Sequence, residues 1–285
     1  MSVARAITLP HGVFAKGRLV RDAELRAPTG WDEVYLAEEA GELTGPERTT
    51  AVLERCVTRV GAERATVPAL RSLTAGDREA ILLHLRAAAF GDRLSCVVDC
   101  PECGARMDVE LSVAELLVPP YADPEERYET TFTADGRRCD VSFRLPTGAD
   151  LESAAGAADV EDAARRLLEL CVESVTVDGE TTDGLAVDAG RDVSAAMARL
   201  DPQAELWLVM TCPECEQAFS ATLDAATLLL AELTPASDRL YREVHALALH
   251  YHWSEREILG LDVRRRRRYL ELLADDPAQP EGALG

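Results

Sequence analysis

“DCPECGARM” at residues 99–107 and “TCPECEQAF” at residues 211–219 share the tetrapeptide CPEC, and the two copies lie 112 positions apart. A C-x-x-C unit on a tight turn presents two thiolates, which is half of the tetrahedral set that a structural zinc requires. The two units therefore predict one structural Zn²⁺ per chain. Its expected ligands are the four cysteines Cys100, Cys103, Cys212 and Cys215.

The residues around each unit place the cysteines at the turn of a β-hairpin. After the first unit, Met107, Val109 and Leu111 alternate with polar residues, as in a strand with one exposed face. The second unit repeats this order of strand, knuckle, strand and helix. Gly104 follows the first knuckle, where its freedom eases a backbone kink, whereas Glu216 in the second knuckle predicts a differently built turn.

Several helices are predicted from caps and apolar spacing. Thr44 and Glu47 form a capping box around Pro46, and Thr74 and Gly91 bound another helix. Further helices are expected at residues 161–175, 192–200, 238–253 and 263–273. Extended segments are expected in the first thirty residues and in a hairpin at 127–145 that turns at Asp135-Gly136.

The predicted fold class is α+β, with helices flanking short antiparallel β-hairpins and a zinc-ribbon-like pair of knuckles joining two halves. A proline-broken linker near residue 120 suggests a domain boundary. The expected regions are 1–120 with the first CPEC unit, 121–235 with the second, C-terminal helices at 236–274 and a disordered tail at 275–285.

Other uses of the cysteines fit the sequence less well. A disulfide within each C-x-x-C unit implies redox work, but neither unit opens a helix after a strand in a βαβ setting. An iron–sulfur cluster also accepts four thiolates, yet CPxC hairpins favour zinc. The remaining cysteines lie in apolar patterns and are expected to be buried, with Cys96 an open alternative as a ligand; they are Cys56, Cys96, Cys139 and Cys171.

Composition limits the possible functions. The chain has 285 residues and is 47% hydrophobic, enough for one large domain or two smaller ones. A formal net charge of −21 repels phosphate backbones, which disfavours non-specific nucleic-acid binding. The sequence has no run of eighteen apolar residues and no recognisable signal peptide, so we expect no membrane insertion and a reducing, cytoplasmic compartment.

No other feature predicts catalysis. Four thiolates leave no open coordination position, and the sequence lacks Walker, dinucleotide-binding and G-x-S-x-G motifs. His245, His250 and His252 lack the spacing of a helical ligand pair and are interpreted as surface or packing residues. The run from Arg264 to Arg268 winds around a helix, which favours pairing with acidic residues of a partner or of this chain.

Several motifs occur in an order that resembles baseplate-hub proteins of T-even-type contractile phage tails. They are “ELTGPE” (42–47), “LTAGDRE” (73–79), “LRAAAFGD” (85–92) and “CPECGARMDVEL” (100–111). Three later segments resemble longer members associated with phage-like contractile injection systems. These are “FRLPTGADLE” (143–152), “LVMTCPEC” (208–215) and “REVHALALHYHWSEREILGL” (242–261).

The resemblance implies a non-enzymatic structural or assembly component of a contractile-tail baseplate. It implies hub, spike or tape-measure proteins as partners, and a place in the bacterial cytoplasm, free or within a particle. The alternative is a zinc-ribbon regulator that binds nucleic acid or transcription machinery, although the knuckles are flanked by acidic residues. An enzyme is a third possibility, and it would need a metal ligand other than cysteine.

Overall fold

The computed structural model describes residues 4–134, 136–182, 187–234 and 237–275, and within these ranges the chain is α+β, as predicted. The strands are β1 (Arg5–Ala15), β2 (Arg18–Leu25), β3 (Val57–Val60), β4 (Glu63–Arg64), β5 (Arg93–Asp99), β6 (Arg106–Ser112), β7 (Tyr128–Ala134), β8 (Arg137–Phe143), β9 (Val172–Val177), β10 (Glu180–Thr181), β11 (Leu206–Thr211) and β12 (Ala218–Leu223). The helices are α1 (Gly30–Glu38), α2 (Gly45–Cys56), α3 (Val67–Arg71), α4 (Ala75–Phe90), α5 (Val113–Leu116), α6 (Gly148–Ala154), α7 (Val160–Cys171), α8 (Val187–Leu200), α9 (Ala225–Leu233), α10 (Ser237–Tyr251), α11 (Glu255–Leu259) and α12 (Val263–Ala274).

Two halves of the chain repeat one plan. The first half (β1 to α5) contains an antiparallel sheet in the order β1-β2-β3-β4, and the second half (β7 to α9) contains one in the order β10-β9-β8-β7. Each half then contributes a two-stranded hairpin, β5-β6 or β11-β12. Leu94 pairs with Leu111 and Leu206 pairs with Leu223, so both hairpins have the same register at their bases.

The local signals for helix ends hold in the structure. Thr44 and Glu47 form the predicted capping box at α2, and Thr74 accepts a hydrogen bond from the Asp77 amide at the start of α4. Gly91 ends α4 with a φ of 92°, a conformation that favours glycine. The Asp135 end of the predicted β7-β8 turn and residues 276–285 of the predicted tail lie outside the described residues.

The helix predicted at residues 161–175 is wrong in its last turn. Helix α7 ends at Cys171, and Val172–Val177 forms strand β9 beside β8. This stretch is rich in β-branched residues, which pack well on a pleated sheet and lose side-chain freedom in a helix. Pairing with β8 therefore outweighs continuation of the helix.

The apolar core is shared between distant parts of the chain. The largest cluster of buried residues combines β1, β2, α2 and α4 with the bases of both hairpins and with α9. A second cluster lies between β7–β9 and α8, and a small third one joins Leu247, Ile258 and Leu273 of the C-terminal helices. The division into regions at residues 120 and 235 stays a prediction.

A further repeat, R-x-P-T-G-x-D, opens the first helix of each half. In both copies an Arg–Asp pair is held at 2.6 Å, Arg26 with Asp32 and Arg144 with Asp150. The same aspartates cap the helix by accepting the backbone N–H of the motif threonine at 2.8 Å. We call residues 28–33 socket 1 and residues 146–151 socket 2, because each receives the start of another helix.

Helix α4 enters socket 2, and α12 enters socket 1, with matching backbone hydrogen bonds. The Ala75 amide donates to the Pro146 carbonyl at 2.9 Å, and the Val263 amide donates to the Pro28 carbonyl at 3.0 Å. In return, the amides of the two socket glycines donate to the carbonyls of Leu73 and Leu261, at 3.1 and 3.3 Å. Socket 2 thereby joins the two halves, and socket 1 anchors the C-terminal helices.

Each incoming helix places a buried arginine beneath the socket glycine. A Cβ added to Gly148 would lie 2.6 Å from Arg78 Cζ, and one added to Gly30 would lie 2.9 Å from Arg266 Nη1. Arg78 donates to the carbonyls of Leu70 and Pro46, both at 3.1 Å, and burial lowers its pKa to about 10. Glycine is therefore required at both positions, because the guanidinium group lies too close to the backbone to leave room for a Cβ.

Replacing either socket glycine with alanine should destabilise the protein. Gly30→Ala and Gly148→Ala each force a methyl group against a buried guanidinium, and we expect a loss of about 2 kcal/mol or more in the free energy of unfolding. Gly45→Ala is the matched control, since its added Cβ meets nothing within 4 Å. Chemical denaturation measures the three variants, and equal stability of all three would contradict the socket packing.

Candidate metal centre

The four cysteines predicted as ligands converge at the tips of the two hairpins. Cys100 Sγ lies 3.7 Å from Cys215 Sγ, and Cys103 Sγ lies 3.6 Å from Cys212 Sγ. All four sulfur atoms lie within 4.8 Å of one another. The cluster thus brings together two regions of the chain that the sequence separates by 108 residues.

The sulfur spacing fits one ion held by four thiolates. A tetrahedron with metal–sulfur distances of about 2.3 Å has sulfur–sulfur edges of about 3.8 Å. All four cysteines are free thiols, and their spacing exceeds the bond length of about 2.05 Å in a disulfide. A group this compact has room for a single ion and not for a multi-iron cluster, whose inorganic core separates its thiolates further.

The two knuckles have the same backbone geometry, contrary to the expectation that Glu216 requires a different turn. Gly104 has a φ of 71° and Glu216 a φ of 59°, so both adopt the left-handed conformation. Their amides donate to the carbonyls of Cys100 and Cys212, each at 2.9 Å. The hydrogen bond that closes the turn imposes this conformation, and Glu216 adopts it despite the steric penalty of its Cβ.

Backbone amides also stabilise thiolate in the second knuckle. Hydrogen bonds from the amides of Cys215 and Glu214 lower the pKa of the Cys212 thiol to about 7. A metal ion binds the deprotonated sulfur, so the amides that favour thiolate at Cys212 also favour metal binding there. The pKa values of Cys103 and Cys215 are raised instead, by neighbouring thiols and by burial. Cys212 is completely buried and Cys103 is exposed, so the cluster has one inward and one solvent-facing side.

Helices α4 and α9 hold the two hairpins in position. Arg86 of α4 pairs with Glu232 of α9 through two hydrogen bonds of 3.0 and 3.1 Å. Glu79 of α4 accepts the Ala225 amide at 2.6 Å, and burial raises the pKa of this carboxyl to about 7. Because β5 follows α4 and β12 precedes α9, these contacts fix the base of each hairpin.

The other predicted features lie apart from the four-cysteine cluster. Cys56, Cys139 and Cys171 are buried, as expected, and Cys96 is half-buried on β5, outside the cluster. His245, His250 and His252 are exposed and belong to no group of potential metal ligands within the described residues. In the arginine run, Arg266 is fully buried and pairs with Glu33 and Glu243, which confirms pairing with acids of this chain.

A second polar cluster, which the sequence did not suggest, lies where the halves meet. Asp77 accepts the backbone amides of His11 and Gly12 at 2.8 and 2.9 Å, and burial raises its pKa to about 6. Asp201 accepts the Gly76 amide at 2.9 Å and the Tyr121 hydroxyl at 2.6 Å. These carboxylates are occupied in tying separate backbone segments together, which is a structural role.

The fold and the cluster define an α+β protein in which four converging thiols join two hairpins. A sequence profile described as T4 bacteriophage base plate protein matches residues 22–227, more than half of the chain. The chain belongs to this family of T4-type phage baseplate proteins, which confirms the resemblance found in the sequence. No curated protein and no solved structure matches it.

Family membership places the chain among structural components of a phage tail baseplate and implies association with other tail components. Within the described residues, no helix is both long and apolar enough to cross a bilayer.

The strained turn of the second knuckle makes a testable prediction. Glu216→Gly removes the cost of a left-handed conformation, and we expect it to raise the free energy of unfolding by about 1 kcal/mol. Glu214 lies in the same knuckle but is not among the residues with positive φ, so Glu214→Gly should be neutral or destabilising. Chemical denaturation with the metal content held constant compares the two; a loss of stability in Glu216→Gly would refute the turn assignment.

Proposed function

We propose that this protein is a non-enzymatic structural or assembly component of a contractile tail or phage-like injection-system baseplate, and that one structural zinc ion clamps its two halves. The observation that carries the proposal is the family match over residues 22–227, a span that includes all four clustered cysteines. The clamp gives the assembly a fixed relative position of the two hairpins.

The proposed zinc is held by the four thiolates of Cys100, Cys103, Cys212 and Cys215. Zinc supplies four strong bonds without redox chemistry, and sulfur donors in a closed tetrahedron suit a structural site. The ion would be bonded to residues on both sides of the long intervening segment. Metal binding is therefore coupled to docking of the halves.

The proposed partners are other baseplate components, with hub, spike or tape-measure proteins as the specific candidates. The proposed location is the bacterial cytoplasm, where the protein is either free or within an assembling particle. Hairpin surfaces and the acidic exterior are the proposed contact area.

A zinc-ribbon regulator is the competing function, and the charges on the first hairpin disfavour it. Its exposed face carries both signs, with Arg93 near Glu110 and Arg106 near Asp99. A surface that binds the phosphate backbone needs an excess of basic residues. Saturable, salt-sensitive DNA binding would favour the regulator over the baseplate component. An enzyme would instead be favoured by metal spectroscopy that shows mixed nitrogen and sulfur coordination.

The zinc proposal predicts one metal ion per chain in the purified protein. Cys212→Ser together with Cys215→Ser should abolish metal binding and lower the melting temperature by about 10 °C or more, because half of the ligand set is lost. Cys96→Ser is the matched control, since this thiol lies outside the cluster, and it should retain the metal. Elemental analysis and calorimetry measure both effects. Two zinc ions per chain, or an unchanged metal content in the double variant, would disprove the single site.

The baseplate proposal predicts co-purification with tail proteins from the native cell. A tagged full-length chain should recover sheath, tube or spike proteins, and deletion of its gene should prevent assembly of intact particles. The Cys212→Ser, Cys215→Ser variant should lose this recovery, whereas Cys96→Ser should retain it. Normal particles in the deletion strain, with no tail protein recovered, would rule out the proposed role.

A further inference from the structure

Socket 1 and its occupant belong to different parts of the chain. The family match at residues 22–227 includes the whole of socket 1 and ends before the C-terminal helices that fill it. Socket 2, in contrast, is filled by α4, which lies within the matched span. Socket 1 therefore lies within the matched span, but the helices that fill it lie outside this span.

The two occupants have a common chemical form. Residues 73–78 read L-T-A-G-D-R and residues 261–266 read L-D-V-R-R-R, which gives the pattern L-[TD]-[AV]-x-x-R. The leucine carbonyl and the helix-start amide bond to the socket backbone, and the arginine lies beneath the socket glycine. Helix α8 has Asp192 at the position that aligns with Arg78, and this residue is exposed. The arginine thus distinguishes the helices that enter a socket.

Socket 1 contains a group that selects for this arginine. Glu33 is fully buried and pairs with Arg266, which is also fully buried. Burial raises the pKa of the Glu33 carboxyl even though Arg266 opposes this shift, so an ionised Glu33 without Arg266 would be costlier still. Socket 2 has Leu151 at the equivalent position. A cationic side chain is therefore required in socket 1 in a way that it is not in socket 2.

The arginine that fills socket 1 has an unsatisfied hydrogen-bonding group, unlike the arginine that fills socket 2. Glu33 Oε1 and Arg266 Nη1 are buried without a hydrogen-bond partner among the described residues. Arg78, in contrast, bonds to two carbonyls and to the Thr50 hydroxyl at 2.9 Å. The C-terminal helices also have a small core of their own, built on Leu247, Ile258 and Leu273. Outside the socket, Arg267 Cζ of α12 lies 4.4 Å from the centroid of the Phe90 ring of α4, so the socket supplies one part of the attachment of these helices.

The near-zero net charge of the C-terminal helices favours binding of such a segment to an acidic surface. Residues 237–275 contain eight arginines and seven acidic residues, although the whole chain has a formal net charge of −21. The rest of the chain is strongly acidic and would repel a second acidic protein. A near-neutral helical segment can approach it without this repulsion.

We infer that socket 1 is a docking site for a separate polypeptide that carries a helix start of the form L-[TD]-[AV]-x-x-R, and that α11 and α12 fill it in cis until this partner displaces them. Docking at socket 1 is supported by the span of the family match and does not depend on the metal. Failure of the metal or co-purification experiments would leave it standing, and its own test is separate.

The test uses the full-length chain and a labelled synthetic peptide of residues 254–275. In an Arg266→Met chain the cis occupant is weakened, so the peptide should bind at least about ten-fold more tightly than to the wild-type chain, in which the linked segment competes at high effective concentration. An Arg266→Met peptide should bind at least about ten-fold more weakly than the wild-type peptide, because it leaves Glu33 unpaired. Adding Gly30→Ala to the chain should abolish binding.

Equal binding to the chains with and without Gly30→Ala, or no binding to a folded Arg266→Met chain, would overturn the inference. If that chain does not fold, hydrogen exchange of the wild-type chain replaces it. Excess peptide should then accelerate exchange in Val263–Ala274 and leave Ala75–Phe90 unchanged. An unchanged α12 would overturn the inference. Dimers of the wild-type chain that the peptide dissociates would assign socket 1 to a second copy and overturn the separate partner.

Discussion

Entry of α4 into socket 2 is the contact on which the arrangement of the halves depends. It joins Ala75 to Pro146 through the backbone and places the Arg78 guanidinium beneath Gly148. Once α4 is fixed at this end, its other end directs β5 outward, and α9 lies beside it through Arg86 and Glu232. The two hairpins then extend from neighbouring helices, which brings their cysteine turns together. A contact far from the sulfur atoms thus supports their geometry.

The strongly acidic composition conceals a structural use of arginine. Arg78 and Arg266 are among the largest fully buried side chains, and each lies at a junction between elements distant in sequence. A buried charge is costly unless it is paired or bonded to carbonyls, so these positions tolerate few alternatives. Removing one partner leaves an uncompensated group inside the protein. Each junction therefore requires a particular pair of groups and not merely apolar contact. A steric constraint adds to this one, because a Cβ on the glycine that faces each guanidinium would overlap it.

Much of the fold and the whole four-cysteine cluster could be predicted from the sequence, because the signals are local. Capping residues such as Thr44 and Glu47, and the alternation from Met107 to Leu111, depend only on neighbours along the chain. The predicted end of α7 was wrong because the pairing of β9 with β8, a long-range contact, determines where the helix ends. The prediction of a different turn at Glu216 was wrong because the hydrogen bond that closes the turn outweighs the preference of glutamate for negative φ. The R-x-P-T-G-x-D repeat was visible at residues 26–32 and 144–150, but its role required knowledge of which helix lies opposite.

The separation of the two knuckles has a consequence for the order of synthesis. Cys103 precedes Cys212 by 109 positions, so at roughly 5–20 residues per second the ribosome completes the second pair of thiols on the order of ten seconds after the first. Throughout that interval a nascent chain presents only two of the four sulfur atoms. A chain interrupted before Cys212 never acquires either of the others. The cluster therefore distinguishes chains that extend through both hairpins from shorter ones.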